Sequence, residues 1–333
     1  MEEPNKRVFV TDCEGPVTKN DNAAELAAEY IPEGHSFFAK ISLYDDYLAE
    51  VIRKPGYKAG DTLRLILPFF KAFGLKNQTV TEYSRRNIAI IPQADRALRE
   101  ILKLVPSYIV STSYSPYVQA VCSTIGFPFE NAYCTQVDLD AQPISDGERS
   151  AVRDIHAEIL KLPDFEIPSG AASADDLAPA DLDVVRKLDE IFWAVLPGLE
   201  VYALVREVNP IGGIEKARAV EQICAANGIS PAQVIYFGDS ITDVDAFRLV
   251  KSGGGMAVSF NGNDWAVREA DFAVTAENGF PLLWLTTLFI EKGVQGFEDL
   301  AVVKLDDGNV ESVSKASSRV RKGVRSERIG SLG

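Results

Sequence analysis

The run Val8–Thr11 is the feature that most constrains how this chain can fold. It consists of β-branched and aromatic residues, which predicts a short buried strand, and the carboxylates Asp12 and Glu14 follow it directly. Gly15 and Pro16 then interrupt regular structure. In an open α/β sheet, ligands bind outside the carboxyl ends of the strands. The two carboxylates are therefore placed where chemistry takes place in such a sheet.

A second segment with this pattern lies in the C-terminal half of the chain. Residues 234–237 predict a buried strand, and Asp239 and Asp243 follow it within a Gly-Asp-x-x-x-Asp sequence. A capping role explains one carboxylate at such a position but not both. Upstream, Lys216 lies in the first turn of a helix predicted over 214–226, where a cation opposes the helix dipole. The position of this lysine therefore points to a role other than helix stability.

Between these segments, residues 107–110 predict a third buried strand that ends in Ser111, Thr112 and Ser113. A helix predicted over 116–125 follows, which completes an α/β unit. Hydroxyl groups after a strand are common turn residues. These three residues therefore become candidates for a site only together with the carboxylates.

Composition and charge exclude several classes of function. The net charge of -14 argues against nucleic acid or an anionic membrane as the main partner, since both repel an acidic surface. No apolar run reaches the length of a membrane span, and the N-terminus has no signal-peptide pattern. The 4 cysteines are widely spaced, which argues against a zinc site or a disulfide framework and predicts a cytoplasmic protein.

The distribution of helices and loops predicts a core interrupted by insertions. We assign residues 1–18, 92–136 and 208–300 to the core, and residues 19–91 to a mostly helical cap. Residues 137–207 form a second insertion of mixed helix and loop, and residues 301–333 form a C-terminal extension. From Ser312 onward the chain is strongly basic, and we expect a loosely docked extension there rather than an arm that binds nucleic acid.

In order and spacing, these motifs resemble those of the haloacid dehalogenase superfamily, namely Asp-x-Asp/Glu, Ser/Thr, Lys and Gly-Asp-x-x-x-Asp. The resemblance spans residues 7–274. Within the superfamily the chain is most similar to the phosphoserine-phosphatase-type branch, and more loosely to an archaeal group named after an energy-converting hydrogenase accessory subunit. The resemblance implies an α/β fold with a Rossmann-like parallel sheet core and an inserted helical cap.

The resemblance also implies a metal-assisted phosphatase site. Asp12 would be the nucleophile that forms an aspartyl-phosphate. Asp12, the backbone carbonyl of Glu14 and Asp239 would hold Mg²⁺, and Asp243 would complete the acidic cluster as a ligand or through water. Lys216 would neutralise charge on Asp12 and on the phosphoryl group, so it would both bind phosphate and assist catalysis.

The remaining roles concern the phosphate and the proton. Ser111 and the backbone N–H of Thr112 would bind a phosphate oxygen, although Thr112 or Ser113 could stand in place of Ser111. Glu14 would protonate the leaving oxygen and then deprotonate the attacking water. This position is more often Asp in the superfamily. A second departure is Pro16, where a small polar or β-branched residue is commoner.

The resulting hypothesis is Mg²⁺-dependent hydrolysis of a phosphomonoester. A cap in this position usually covers the site, which favours a small phosphorylated metabolite as the substrate. Two alternatives remain open: a phosphomutase of the same fold, and a low-turnover binding or accessory subunit of a larger complex.

Overall fold

A parallel six-stranded sheet lies at the centre of the part of the protein that the computed structural model describes, which is residues 6–168, 170–298, 305 and 308–326. Its strands are β1 (Val8–Thr11), β2 (Ser107–Tyr114), β3 (Ala132–Thr135), β4 (Val234–Gly238), β5 (Met256–Phe260) and β6 (Phe272–Val274). The strand order is β3-β2-β1-β4-β5-β6. This is the order of a doubly wound, Rossmann-like sheet, which confirms the predicted fold class.

Helices surround the sheet and build the insertions. They are α1 (Asn22–Tyr30), α2 (Gly34–Asp46), α3 (Thr62–Leu65), α4 (Leu67–Ala72), α5 (Asn77–Arg86), α6 (Ala94–Leu104), α7 (Ser115–Ile125), α8 (Asp146–Lys161), α9 (Pro179–Glu190), α10 (Ala203–Glu207), α11 (Ile214–Asn227), α12 (Val244–Ser252), α13 (Asp264–Glu269), α14 (Phe280–Lys292), α15 (Gln295–Glu298) and α16 (Val310–Arg325). Among the described residues, no helix combines the length and the apolar character that a membrane crossing requires.

The central strand β1 is buried on both faces. Its side chains alternate, as in any strand: Val8 and Val10 pack into one hydrophobic cluster, and Phe9 packs into the cluster on the opposite face. Phe9 lies 5.6 Å from Phe237 of β4, measured between ring centroids. A strand with apolar residues on both faces needs helices on both sides of the sheet, and this requirement fixes β1 in the middle of the fold.

The second strand is longer than its apolar run predicts. Residues 107–110 indicated a strand that stops before Ser111, whereas β2 continues to Tyr114 with a register shift between Ser111 and Tyr114 against β3. The neighbouring β3, Ala132–Thr135, was not predicted, because its four residues carry no alternating pattern. The candidate phosphate-binding residues therefore lie within a strand and not in a loop after it.

The two predicted insertions share one hydrophobic core. Phe37 and Phe69 of the first insertion contact each other at a centroid distance of 4.7 Å, and Phe192 of the second insertion lies 6.3 Å from Phe69. His156, also from the second insertion, packs edge-on against Phe37 at 4.6 Å. We therefore propose that residues 19–91 and 137–207 act as one cap.

The C-terminal helix α16 is docked tightly, so the expectation of a loosely docked extension was wrong for Val310–Arg325, whereas most of the remaining extension lies outside the described residues. The Ser314 hydroxyl donates to Asp264 at 2.7 Å, and the Ser317 hydroxyl donates to the Gly262 carbonyl at 2.7 Å. Arg321 and Arg325 are 3% and 6% exposed. These four residues recur every three or four positions, so they form one buried polar face of the helix. A count of charges alone hides this periodicity.

Candidate active site

The order of the strands places β1 at the point where the winding of the sheet reverses. On one side of β1 the sheet continues with β2 and β3, and on the other side it continues with β4, β5 and β6. β1 and β4 are paired in parallel, and the Asp12 backbone N–H donates to the Phe237 carbonyl at 2.8 Å. The loops after these two strands are therefore neighbours. Such a reversal point is where open α/β sheets bind their ligands.

Three carboxylates meet at this point. Oxygen atoms of Asp12, Asp239 and Asp243 lie within 4.8 Å of one another, and all three residues are buried. Carboxylate oxygens are the ligands that a hard divalent cation such as Mg²⁺ prefers, and one or two of them suffice. The donor set therefore fits the metal that the sequence implied. The side chain of Glu14 is not a member of this cluster.

Lys216 places its ammonium group among these carboxylates. It is fully buried, and its Nζ lies 2.6 Å from Oδ2 of Asp12 and 2.7 Å from Oδ1 of Asp243. Burial lowers the pKa of Lys216, but the two ion pairs outweigh burial, so the pKa is raised overall. The lysine is therefore a permanent cation. Its ammonium group links Asp12, which follows β1, to Asp243, which lies in the loop after β4.

The Asp243 side chain is saturated with hydrogen bonds. Its Oδ1 accepts from Lys216 and from the Tyr236 hydroxyl at 2.8 Å. Its Oδ2 accepts from the backbone N–H groups of Asp239 at 2.9 Å and Ser240 at 3.1 Å. With two bonds to each oxygen, this carboxylate organises the loop after β4 and orients Lys216.

Asp12 is held in place from two sides. Its Oδ1 accepts from the Cys13 backbone N–H at 2.6 Å, and its Oδ2 accepts from Lys216. Burial, opposed by Lys216 and reinforced by the charges of Asp243 and Asp239, raises the pKa of Asp12 to about 7. A cation beside Asp12 favours its ionised, nucleophilic form, because an opposite charge stabilises a carboxylate.

Glu14 lies at the rim of this cluster with its side chain fixed toward the cap. Its Oε1 accepts from the Asn22 backbone N–H, the first residue of α1, at 2.7 Å. Burial, with an addition from the charge of Asp21, raises the pKa of Glu14 well above its usual value. A carboxyl group with a raised pKa suits a general acid.

The structure separates the two predicted phosphate-binding residues. Thr112 lines the cavity above the carboxylates, and its hydroxyl donates to the Ile211 carbonyl at 3.1 Å. Ser111 is buried, does not line this cavity, and accepts from the Ser113 backbone N–H at 3.2 Å. Residues of the first insertion, which include Phe38, Asp46 and Leu63, also line this cavity.

The sequence motifs did not indicate two arginines that line this cavity. Arg321 and Arg325 of α16 both contact Asp239 and line the cavity beside Asp12 and Glu14. The signal that could have indicated them is the four-residue spacing of two arginines in a helix with a basic end. That spacing places both side chains on one face.

Glycines keep the loops around the carboxylates close together. Gly15 has φ +100°, and a Cβ there would lie 2.1 Å from Oδ2 of Asp239. At Gly238 a Cβ would lie 2.3 Å from Cγ of Asp243. Any larger residue at either position would displace one of these carboxylates, so the arrangement of the site requires glycine at both positions.

The chain is similar to proteins of one hydrolase family. A family model described as haloacid dehalogenase-like hydrolase matches residues 205–279, which include Lys216, Asp239 and Asp243. The structure of a gene product from Archaeoglobus fulgidus is 30% identical, and the match covers 98% of this chain and 99% of that chain with a TM-score of 0.83. No curated protein matches.

Two more distant solved structures show the same fold. A substrate-bound phosphoserine phosphatase is 14% identical, with 85% of this chain and 99% of that chain covered and a TM-score of 0.52. A protein from Salmonella enterica that is described as a HAD family hydrolase is 12% identical. The match covers 87% of this chain and 72% of that chain, with a TM-score of 0.50. The family-model match and the relative that covers nearly the whole chain, together with the sheet order and the buried carboxylate–lysine cluster, show that the chain belongs to the haloacid dehalogenase-like hydrolases.

Proposed function

We propose that this protein is a Mg²⁺-dependent phosphomonoester hydrolase that acts on a small phosphorylated metabolite through an aspartyl-phosphate. The observation that carries the proposal is the buried set of Asp12, Lys216 and Asp239 at the reversal point of the sheet. A carboxylate nucleophile, a fixed ammonium group and a second carboxylate for a cation are the groups that phosphoryl transfer to Asp12 requires.

In the first step, a carboxylate oxygen of Asp12 would attack phosphorus and the ester oxygen would leave. Glu14, whose burial favours the protonated form, would give its proton to the leaving alkoxide. Lys216 would offset the negative charge that gathers on the transferred group. In the second step, Glu14 would take a proton from water as the water attacks the aspartyl-phosphate, and inorganic phosphate would leave.

Asp12 and Asp239 would hold the cation, together with the backbone carbonyl of Glu14. When bound, Mg²⁺ supplies charge neutralisation for the phosphoryl oxygens and for the nucleophile. Asp243 would support the site without being a direct ligand, because each of its oxygens already accepts two hydrogen bonds. Thr112 is the better placed of the two predicted phosphate-binding residues, because it lines the cavity and Ser111 does not.

The cap supports a small substrate. The cavity is lined on one side by Asp12, Thr112 and Ser240 and on the other by Phe38 and Leu63 of the cap. A site enclosed between a core and a cap excludes bulk water from the phosphoryl group and limits the size of the leaving group. A phosphorylated protein surface would not enter such a space without displacement of the cap.

The first test is hydrolysis of p-nitrophenyl phosphate by the wild-type protein with and without Mg²⁺. We expect release of p-nitrophenol that falls to background with EDTA and returns when Mg²⁺ is added in excess. A panel of small phosphate esters, assayed for inorganic phosphate, would run alongside. The proposal would be refuted by folded, Mg²⁺-loaded protein that releases phosphate from none of them, and an accessory role would then be favoured.

Glu14→Gln would separate the two chemical steps. Because p-nitrophenolate is a weak base, it can leave without a proton from Glu14, whereas attack by water needs the general base. We expect a rapid release of about one equivalent of p-nitrophenol, followed by turnover slowed roughly 10²–10⁴-fold, as is typical when a general base is lost. Rapid-quench measurements of p-nitrophenol against enzyme concentration would show this burst.

The matched control for this variant is Glu100→Gln, which removes an exposed carboxylate of α6 that pairs with Lys103 on the surface. It should keep the wild-type steady-state rate. Loss of the burst together with slow turnover in Glu14→Gln would mean that Glu14 acts in the first step only or in substrate binding, and the two-step role would have to be abandoned.

A further inference from the structure

The C-terminal helix α16 brings two buried guanidinium groups to Asp239, a carboxylate that lies 82 residues earlier in the chain than Arg321. Nη1 of Arg321 donates to the backbone carbonyl of Asp239 at 3.1 Å and also to its Oδ2. Nη1 of Arg325 donates to the same Oδ2 at 2.8 Å. Neither arginine belongs to the motifs that identify the family, and both line the active-site cavity.

Both arginines bind the same oxygen of Asp239. In the described part of the chain, Oδ2 accepts both guanidinium groups, whereas Oδ1 accepts no hydrogen bond. Both oxygens lie against the loop that follows Asp12, since a Cβ at Gly15 would lie 2.1 Å from Oδ2 and 2.7 Å from Oδ1. Oδ2 is thus held by two guanidinium groups, and Oδ1 accepts no hydrogen bond from the described residues.

The helix that carries the arginines is itself fixed beside Asp239. Ser317 donates to the carbonyl of Gly262, and the next residue, Asn263, donates its backbone N–H to the Asp239 carbonyl at 2.9 Å. At its end, Arg325 donates from Nε to the Lys19 carbonyl at 3.1 Å and from Nη2 to the Asn20 carbonyl. The helix therefore connects the loop after β4 with the residues where the cap begins.

We propose that Arg321 and Arg325 are positioning residues of the active site, which hold Asp239 through its Oδ2 and leave its Oδ1 available to bind the divalent cation. This inference rests on the proposed function and deepens it. Hydrogen bonds to the ligands of a metal orient them, and their loss commonly reduces metal affinity or activity. The C-terminal helix is then a part of the metal site and not an appendage.

The sign of one measurement tests this role. Two guanidinium cations beside a cation site also repel the cation, so if their charge dominated, their removal would tighten metal binding. If positioning dominates, removal weakens binding. We expect Arg321→Ala and Arg325→Ala each to weaken Mg²⁺ binding by roughly 10–100-fold, the range typical of residues that hold metal ligands. Isothermal titration calorimetry of the substrate-free protein with Mg²⁺ measures this directly.

Arg319→Ala is the matched control, because Arg319 lies on the exposed face of the same helix. It should bind Mg²⁺ as the wild type does. Arg321→Lys keeps the charge and can still donate to Oδ2, so it should recover a part of the lost affinity. Circular dichroism melts of every variant would confirm that the protein is folded during the titrations.

Three outcomes are informative and distinct. Weaker binding in both alanine variants, with partial recovery in Arg321→Lys, supports positioning. Unchanged or tighter binding in the folded alanine variants, while the wild type binds Mg²⁺, overturns it and leaves the proposed hydrolase function intact. A wild type that binds no Mg²⁺ overturns both this inference and the Mg²⁺-dependent function on which it rests.

Discussion

Asp12→Asn should abolish Mg²⁺-dependent hydrolysis. The substituted amide has nearly the same shape but is a poor nucleophile, so no aspartyl-phosphate can form. We expect kcat on p-nitrophenyl phosphate to fall by about 10⁴-fold or more, since loss of a nucleophile in a well-studied hydrolase costs on the order of 10⁶. The wild type incubated with a labelled phosphate ester should carry label that hydroxylamine removes, and Asp12→Asn should carry none.

A matched control is Asp175→Asn, which changes an exposed carboxylate in a short 3₁₀ helix of the second insertion. It should leave kcat and labelling at wild-type values. If Asp12→Asn kept more than a tenth of the wild-type rate in folded protein, another group would be the nucleophile and the proposed mechanism would fail. Because Asn removes a buried charge next to Lys216, the fold of the variant should be checked by urea denaturation.

Lys216→Met should damage both stability and activity. The ammonium group is the shared partner of two buried carboxylates, Asp12 and Asp243, and methionine fills its volume without its charge. Removal of one member of a buried ion pair costs about 3–5 kcal/mol of unfolding free energy, because the remaining charge stays buried without compensation. Activity should fall by at least roughly 10²-fold, as when a preorganised stabilising group is lost.

A second substitution separates the electrostatic cause from a packing defect. In Lys216→Met/Asp243→Asn, the amide oxygen can still accept the backbone N–H groups of Asp239 and Ser240, but one uncompensated charge is gone. Urea denaturation should therefore show the double variant to be more stable than Lys216→Met alone, which is a non-additive result. Equal or lower stability of the double variant would point to lost packing instead. Lys103→Met, at an exposed surface pair, should leave stability close to the wild type.

Much of the core could be predicted from local sequence because its signals are local. β1 and β4 are short apolar runs bounded by turn residues, and the structure has β1 at the predicted residues and β4 one residue longer than predicted. The cluster of Asp12, Lys216, Asp239 and Asp243 was indicated by motifs that lie at strand ends or at a helix start, and the structure brings their side chains into contact. Carboxyl ends of parallel strands share one edge of the sheet, so order along the chain was enough.

Other features depended on contacts between distant segments. β3 has no alternating pattern of its own and forms by pairing with the extended β2. Asp243 accepts hydrogen bonds from Lys216, which lies on another helix, and from the Asp239 backbone N–H of its own loop. The two insertions pack against each other through aromatic contacts such as that between Phe69 and Phe192. No local sequence pattern encodes contacts of this kind.

Local signals, namely apolar runs and short motifs, were enough to predict β1, β4 and the acidic and basic groups of the candidate site. The place of Arg321 and Arg325 depends instead on how the chain folds in three dimensions. Read as sequence, a basic C-terminal segment is a solvated surface, since burial of an arginine is unfavourable without a partner. The partner is Asp239, and folding alone brings it next to α16. Compensation of charge between segments far apart in the chain is a property of the folded state, and it places the basic C-terminal helix at the cavity of the candidate active site.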